Sequence, residues 1–94
     1  METEDMTKLV RDKLGKRIRE LREARGLRQI DLAEKACIDR SYISGIENGR
    51  RNVSIDNVAR MAQALDISVA ELCADIEFDS DMVDERVKET QTDA

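Results

Sequence analysis

Arg40, Ser41 and Ser44 stand at spacings that bring them to one side of a helix. An arginine fork can take the O6 and N7 of a guanine together, and a serine hydroxyl donates or accepts. The trio therefore has the chemistry to read base edges in a DNA groove, and Tyr42 sits beside it. Arg50 and Arg51 form a second basic cluster a few residues on. Upstream, Lys8, Arg11, Lys13, Lys16, Arg17, Arg19, Arg22, Arg25 and Arg28 face only Asp12, Glu20 and Glu23. Local fields of this kind draw phosphates, because charges farther off than roughly 8 Å are screened at physiological salt. Taken alone, the same run also describes the solvated faces of helices.

Other chemistries are poorly supplied. The chain has no histidine, so acid–base work near neutral pH lacks its usual agent and a metal site its commonest ligand. Cys37 and Cys73 lie far apart with no C-x-x-C spacing, which reads as two small hydrophobes in a reducing cytosol. No glycine-rich phosphate loop and no nucleophile–base pair is present, so neither an enzyme, a cofactor nor a metal is expected. No apolar run approaches the 18 residues a membrane span needs, and a soluble cytoplasmic protein is expected.

The formal charge of −5 hides an asymmetry: residues 1–53 sum to +3 and residues 54–94 to −8. An acidic total thus leaves nucleic-acid binding open. With 94 residues, one small domain is expected.

The elements that would position these residues are helical. Proline is absent, glycines number four, and apolar residues recur at helical spacing. The first helix is expected from about Thr7 to Ala24, stacking Leu14, Ile18 and Leu21, with Gly26 as its C-terminal cap. A second spans Gln29 to Ala36, with Leu32, Ala33 and Ala36 inward. Asp39 suits the N-cap of a third, running through Glu47 with Ile43 and Ile46 inward. Ser54 caps a fourth, Ile55 to Leu65, burying Val58, Met61, Ala62 and Leu65. Ser68-x-x-Glu71 is a capping box that opens a fifth, Val69 to about Ala74. The fold class is therefore all-α, a compact five-helix bundle. Residues 1–76 are expected to form the domain and residues 77–94 a mobile acidic tail. A short helix from Ser80 to Glu89, striped by Met82, Val83 and Val87, is the alternative for that tail.

The second and third helices meet across Ala36-Cys37-Ile38-Asp39, a turn of the length that lets a helix-turn-helix present its second helix to the major groove. A helical hairpin is common, but here the residues carry more. Gly26-Leu27-x-Gln29, Leu32-Ala33-x-Lys35-Ala36, Ser41-Tyr42-Ile43-Ser44, Ile46-Glu47-Asn48-Gly49 and Ala64-Leu65-x-Ile67-Ser68 occur in register. Over residues 14–72 the chain closely resembles the five-helix DNA-binding domain of the XRE family, which includes phage repressor and Cro proteins.

That resemblance implies roles. Arg40, Ser41 and Ser44 would read bases. Gln29 would bond a phosphate from the start of the second helix, where amides and dipole favour an anion. Tyr42, Asn48, Arg50 and Arg51 would hold the DNA backbone and fix register. Arg22 would pair with Glu47. Two independent surface charges are the plain reading without the family. Where relatives carry a longer polar side chain this chain has Gly45, which implies fewer direct base contacts and more dependence on DNA shape. Cys37 stands where glycine is usual, at a strain on the order of 1 kcal/mol if φ there is positive. Val53 stands where proline is frequent, which loosens the entry to the fourth helix.

One module makes too few base contacts for genomic discrimination, so a homodimer on half-sites roughly 34 Å apart is expected on double-stranded DNA. Val69, Leu72, Ile76 and Phe78 are the candidate dimer surface, with completion of the monomer core as the other use for Val69 and Leu72. The size and architecture resemble restriction-modification controller proteins. The alternative is an antitoxin or protein-interaction module, with a protein partner docked on the acidic tail.

Overall fold

The computed structural model describes residues 2–74 and 76, with side chains from Met6 onward. Helix α1 (Glu2–Ala24) is followed by α2 (Gln29–Ala36), α3 (Arg40–Glu47), α4 (Ile55–Ala64) and α5 (Val69–Leu72). The all-α, five-helix reading stands, and no strand occurs among the described residues. Residues 77–94, including Phe78 and the alternative helix at 80–89, lie outside the described residues.

Three boundaries differ from expectation, the smallest being α4, which ends at Ala64 with Leu65 as its C-cap. Helix α1 begins at Glu2 rather than Thr7. Apolar periodicity could not find that extension, since residues 2–6 read Glu-Thr-Glu-Asp-Met, three of them acidic types that favour a helix start. Helix α5 stops at Leu72, two residues short, with Cys73 N–H bonded back to the Val69 carbonyl at 3.1 Å.

The first four helices end the same way. Gly26, Cys37, Gly49 and Asp66 all adopt positive φ, at 68°, 57°, 71° and 60°. The next residue's N–H then reaches back five positions: Leu27 to Arg22, Ile38 to Ala33, Arg50 to Gly45 and Ile67 to Ala62, at 2.9–3.1 Å. These left-handed stops satisfy carbonyls that a helix end leaves orphaned. The starts are also capped. Ser54 Oγ accepts from Asn57 N–H at 3.1 Å, and Ser68 and Glu71 bond reciprocally at 3.0 and 3.1 Å. Asp39 takes the N-cap position of α3 without a side-chain cap bond.

The core comprises Leu14, Ile18, Leu32, Ala33, Ala36, Ile43, Ile46, Val58, Met61, Ala62, Leu65 and Leu72. Leu21 packs against it half-buried. Gly15 is buried where α1 crosses α3, and a Cβ there would collide with the Ile46 carbonyl oxygen. The backbones of α1 and α3 therefore touch directly, which only glycine allows. Two arginines, Arg17 on α1 and Arg25 just past its end, tie this part of the chain to the far helices. Arg25 Nε donates to the Leu65 carbonyl at 2.8 Å. Arg17 donates to the Glu71 carbonyl at 2.9 Å.

Candidate nucleic-acid interface

The joint between α2 and α3 rests on Cys37, left-handed at φ 57° and ψ 47°. That geometry turns the chain so that α3 buries Ile43 and Ile46. The opposite face follows by helical periodicity: Arg40 and Ser41 are exposed and Ser44 is half-buried.

Gly45 lies on that outer side, and its missing side chain has a specific occupant. A Cβ on Gly45 would stand 2.5 Å from Arg51 Cγ, so the Arg51 stem lies across the helix backbone. Its guanidinium carbon sits 5.8 Å from the centroid of the Tyr42 ring, within cation–π range. The Tyr42 hydroxyl donates to the Asn52 carbonyl at 2.6 Å. Arg51 thus joins the outer surface of α3, although it belongs to the following loop. Asn48 and Arg50 are exposed at the end of α3 and beyond it.

Beneath this surface lies a buried charge centre. Arg22 Nε and Nη2 donate to the two Glu47 carboxylate oxygens at 2.7 and 3.0 Å. Arg22 Nη1 donates to the Leu27 carbonyl at 2.7 Å. Gln29 Nε2 donates to Glu47 Oε1 at 3.1 Å. The Arg22 and Glu47 side chains are only 10% and 3% exposed, so each charge is compensated by the other and by further hydrogen bonds. The bond to Glu47 pushes the Arg22 guanidinium further above its already high ordinary value. Glu47 thereby ties α1, the start of α2 and the end of α3 together.

Helix α2 begins at a surface pair that the sequence reading did not single out. Asp31 accepts from the Arg28 backbone N–H at 2.8 Å and from its guanidinium at 3.0 Å. These bonds lower the Asp31 carboxyl to about 2. Also missed was Arg11, whose Nη1 donates to Asn52 Oδ1 at 2.8 Å. Its place in a basic run on α1 gave no sign of a partner 41 residues away.

The expected dimer surface needs correction at one position. Leu72 is wholly buried, because it closes the core under α4, and it has no surface to offer a second copy. Val69 and Ile76 are half-buried and pack on the core. Phe78 lies outside the described residues. A shallow groove beside Val69 is lined by Ala59, Ala62, Gln63, Asp66, Ile67 and Glu71 among others.

Residues 18–72 match the family model described as Helix-turn-helix. The chain belongs to that helix-turn-helix family. This agrees with the XRE-type resemblance carried by the motifs above. Helix-turn-helix relatives include the HTH-type transcriptional regulator DdrOP3 of Deinococcus deserti, 42% identical over 69 residues, covering 73% of this chain and 54% of that protein. The chain therefore spans about half the length of that relative. Among solved helix-turn-helix structures, the restriction-modification controller protein C.AhdI from Aeromonas hydrophila is 52% identical. It superposes with a TM-score of 0.65 over 66% of this chain and 94% of its own. The controller C.Esp1396I, solved as a tetramer in complex with its natural 35 base-pair operator, is 34% identical. Its TM-score is 0.65 over 69% of this chain and 86% of that one. No described helix is long and apolar enough to cross a membrane.

Proposed function

We propose that this helix-turn-helix protein is a sequence-specific regulator of transcription that binds double-stranded DNA as a homodimer on a palindromic operator, with α3 in the major groove. The observation that carries this reading is the outer face of α3. Arg40 and Ser41 are exposed on it, Ser44 is half-buried beside them, and Arg51 is drawn onto it across Gly45. Arg40, Ser41 and Ser44 read base edges. Gln29, Tyr42, Asn48, Arg50 and Arg51 hold the backbone, and Arg51, lying on α3 itself, also comes within reach of base edges. Gln29 keeps an amide hydrogen for a phosphate while the other bonds Glu47.

The operator complex of C.Esp1396I supports the choice of DNA, and its tetramer supports assembly from repeated copies. Similarity to two restriction-modification controllers supports a cytoplasmic regulator set by its own concentration rather than an enzyme. Residues 1–76 form the DNA-binding unit, and Val69 and Ile76 border the dimer surface.

Selection from a random pool of duplex DNA, followed by anisotropy titration of the winners across salt, tests the proposal. A palindrome with half-sites about one helical turn apart, bound more weakly as salt rises, is expected. No enrichment would overturn it and turn attention to a protein partner.

A further inference from the structure

Five residues from two distant parts of the chain form one connected path. Arg11 on α1 donates to the Asn52 side chain. The Asn52 main-chain carbonyl accepts from the Tyr42 hydroxyl. The Tyr42 ring lies against the Arg51 guanidinium, and the Arg51 stem crosses Gly45. The loop that carries Arg51 joins α3 to α4. It opens at Gly49, which has positive φ, and it contains no proline, since the chain has none.

Arg11 Nε is buried without a hydrogen-bond partner among the described residues. A donor left in that condition is costly and calls for a reason. Holding Asn52 from α1 is such a reason, because α1 is clamped to α3 at Gly15 and shares its frame.

We infer that Arg11 is a positioning residue for Arg51: it anchors the loop between α3 and α4 through Asn52, so that Tyr42 and Gly45 receive the Arg51 side chain in one pose. The inference rests on the DNA-binding reading above. It assigns Arg11 a part in specificity without a contact to DNA.

Tyr42 is the chain's single tyrosine, and tryptophan is absent. Its ring signals in NMR of the isotopically labelled protein are therefore free of overlap from other tyrosines and report the surroundings of that ring. The variants are Arg11→Met, which keeps the stem and removes donor and charge, and Arg11→Lys, which keeps both. Circular dichroism verifies that each is folded. The operator-to-random affinity ratio is then measured for both, and again in an Arg51→Ala background.

Arg11→Met is expected to shift the Tyr42 signals and to lower the affinity ratio about tenfold, the scale of one lost base contact. The salt dependence on random duplex stays unchanged, and Arg11→Lys recovers most of the ratio. In the Arg51→Ala background, Arg11→Met causes no further loss, since the two act as a unit. The inference is overturned if the Tyr42 signals do not move or if the losses add independently. It is also overturned if operator and random DNA lose affinity equally with a shallower salt slope, which would make Arg11 a phosphate contact. If the unaltered protein prefers no duplex, the DNA reading itself has failed, and the Tyr42 signals still decide whether the tether exists.

Discussion

Arg22 and Glu47, 25 residues apart in the chain, face each other through two hydrogen bonds of 2.7 and 3.0 Å in a nearly solvent-free site. Such pairs add little net stability when compared with a well-packed apolar pair, but breaking one leaves an uncompensated charge. Glu47→Ala is expected to destabilise the domain by about 3 kcal/mol, measured by urea unfolding. The double change Arg22→Met with Glu47→Leu costs less than that single change. A double variant less stable than Glu47→Ala would show that the pair contributes more than mutual compensation.

Cys37 holds a left-handed conformation at φ 57° that disfavours any Cβ. Cys37→Gly is expected to raise stability by about 1 kcal/mol, the strain released exceeding the flexibility added to the unfolded chain. The thermal midpoint reports it, and DNA binding is unchanged.

Gly15 and Gly45 both sit in helices at crowded places, yet they predict opposite outcomes. A methyl at Gly15 meets the backbone carbonyls of Ile46 and Glu47, so Gly15→Ala costs about 1 to 3 kcal/mol. The three atoms nearest a methyl at Gly45 all belong to the flexible Arg51 side chain. Gly45→Ala therefore leaves the fold as stable or more so, with alanine's helix preference worth up to about 1 kcal/mol. Arg51 is displaced, and operator affinity falls. Equal losses of stability at both positions would refute the distinction.

The proposed roles of Arg40 and Arg50 separate base reading from backbone attraction. Arg40→Ala is expected to cost about 1 to 3 kcal/mol on the operator and to relax preference at one base pair. Arg50→Ala weakens binding to all sequences and reduces the slope of affinity against salt by about 1. Anisotropy titrations of operator and random duplex distinguish the two, and indistinguishable profiles would refute the assignment.

Asp31 gives the first turn of α2 a defined pH response. Its carboxyl is lowered from 3.8 to about 2, first by the Arg28 guanidinium and then by the Arg28 backbone N–H. The charged form is thus favoured by folding. Its contribution is complete above the ordinary carboxyl value and disappears as pH falls toward 2. Stability measured from pH 4 down to 2 should decline less steeply in Asp31→Asn. An unchanged slope would show that the pair does not persist in solution.

Much of the fold was legible because it depends on local chemistry. The core faces of α2, α3 and α4 follow from apolar spacing, and Ser54 and the Ser68–Glu71 box mark helix starts by hydrogen bonds within three residues. The turn at Cys37 was legible only as a departure from a familiar glycine, since no local rule demands positive φ of a cysteine. What escaped was long-range. The bond from Arg11 to Asn52 spans 41 residues, and one basic residue among seven in α1 carries no mark of its partner. Gly45 looked like a missing contact, because the side chain that fills its place arrives from a loop whose path no periodicity encodes. Leu72 satisfied the pattern of both a core and an interface residue, and only three-dimensional closure under α4 decided between them.

The close backbone crossing at Gly15 has a thermodynamic consequence. With α1 spanning 23 residues and seated directly on α3, the helix offered to a groove is half of a rigid pair. Its conformational entropy is already lost when the chain folds. Docking then orders side chains and releases counterions but creates no secondary structure, so the heat-capacity change of association reflects buried surface rather than coupled folding.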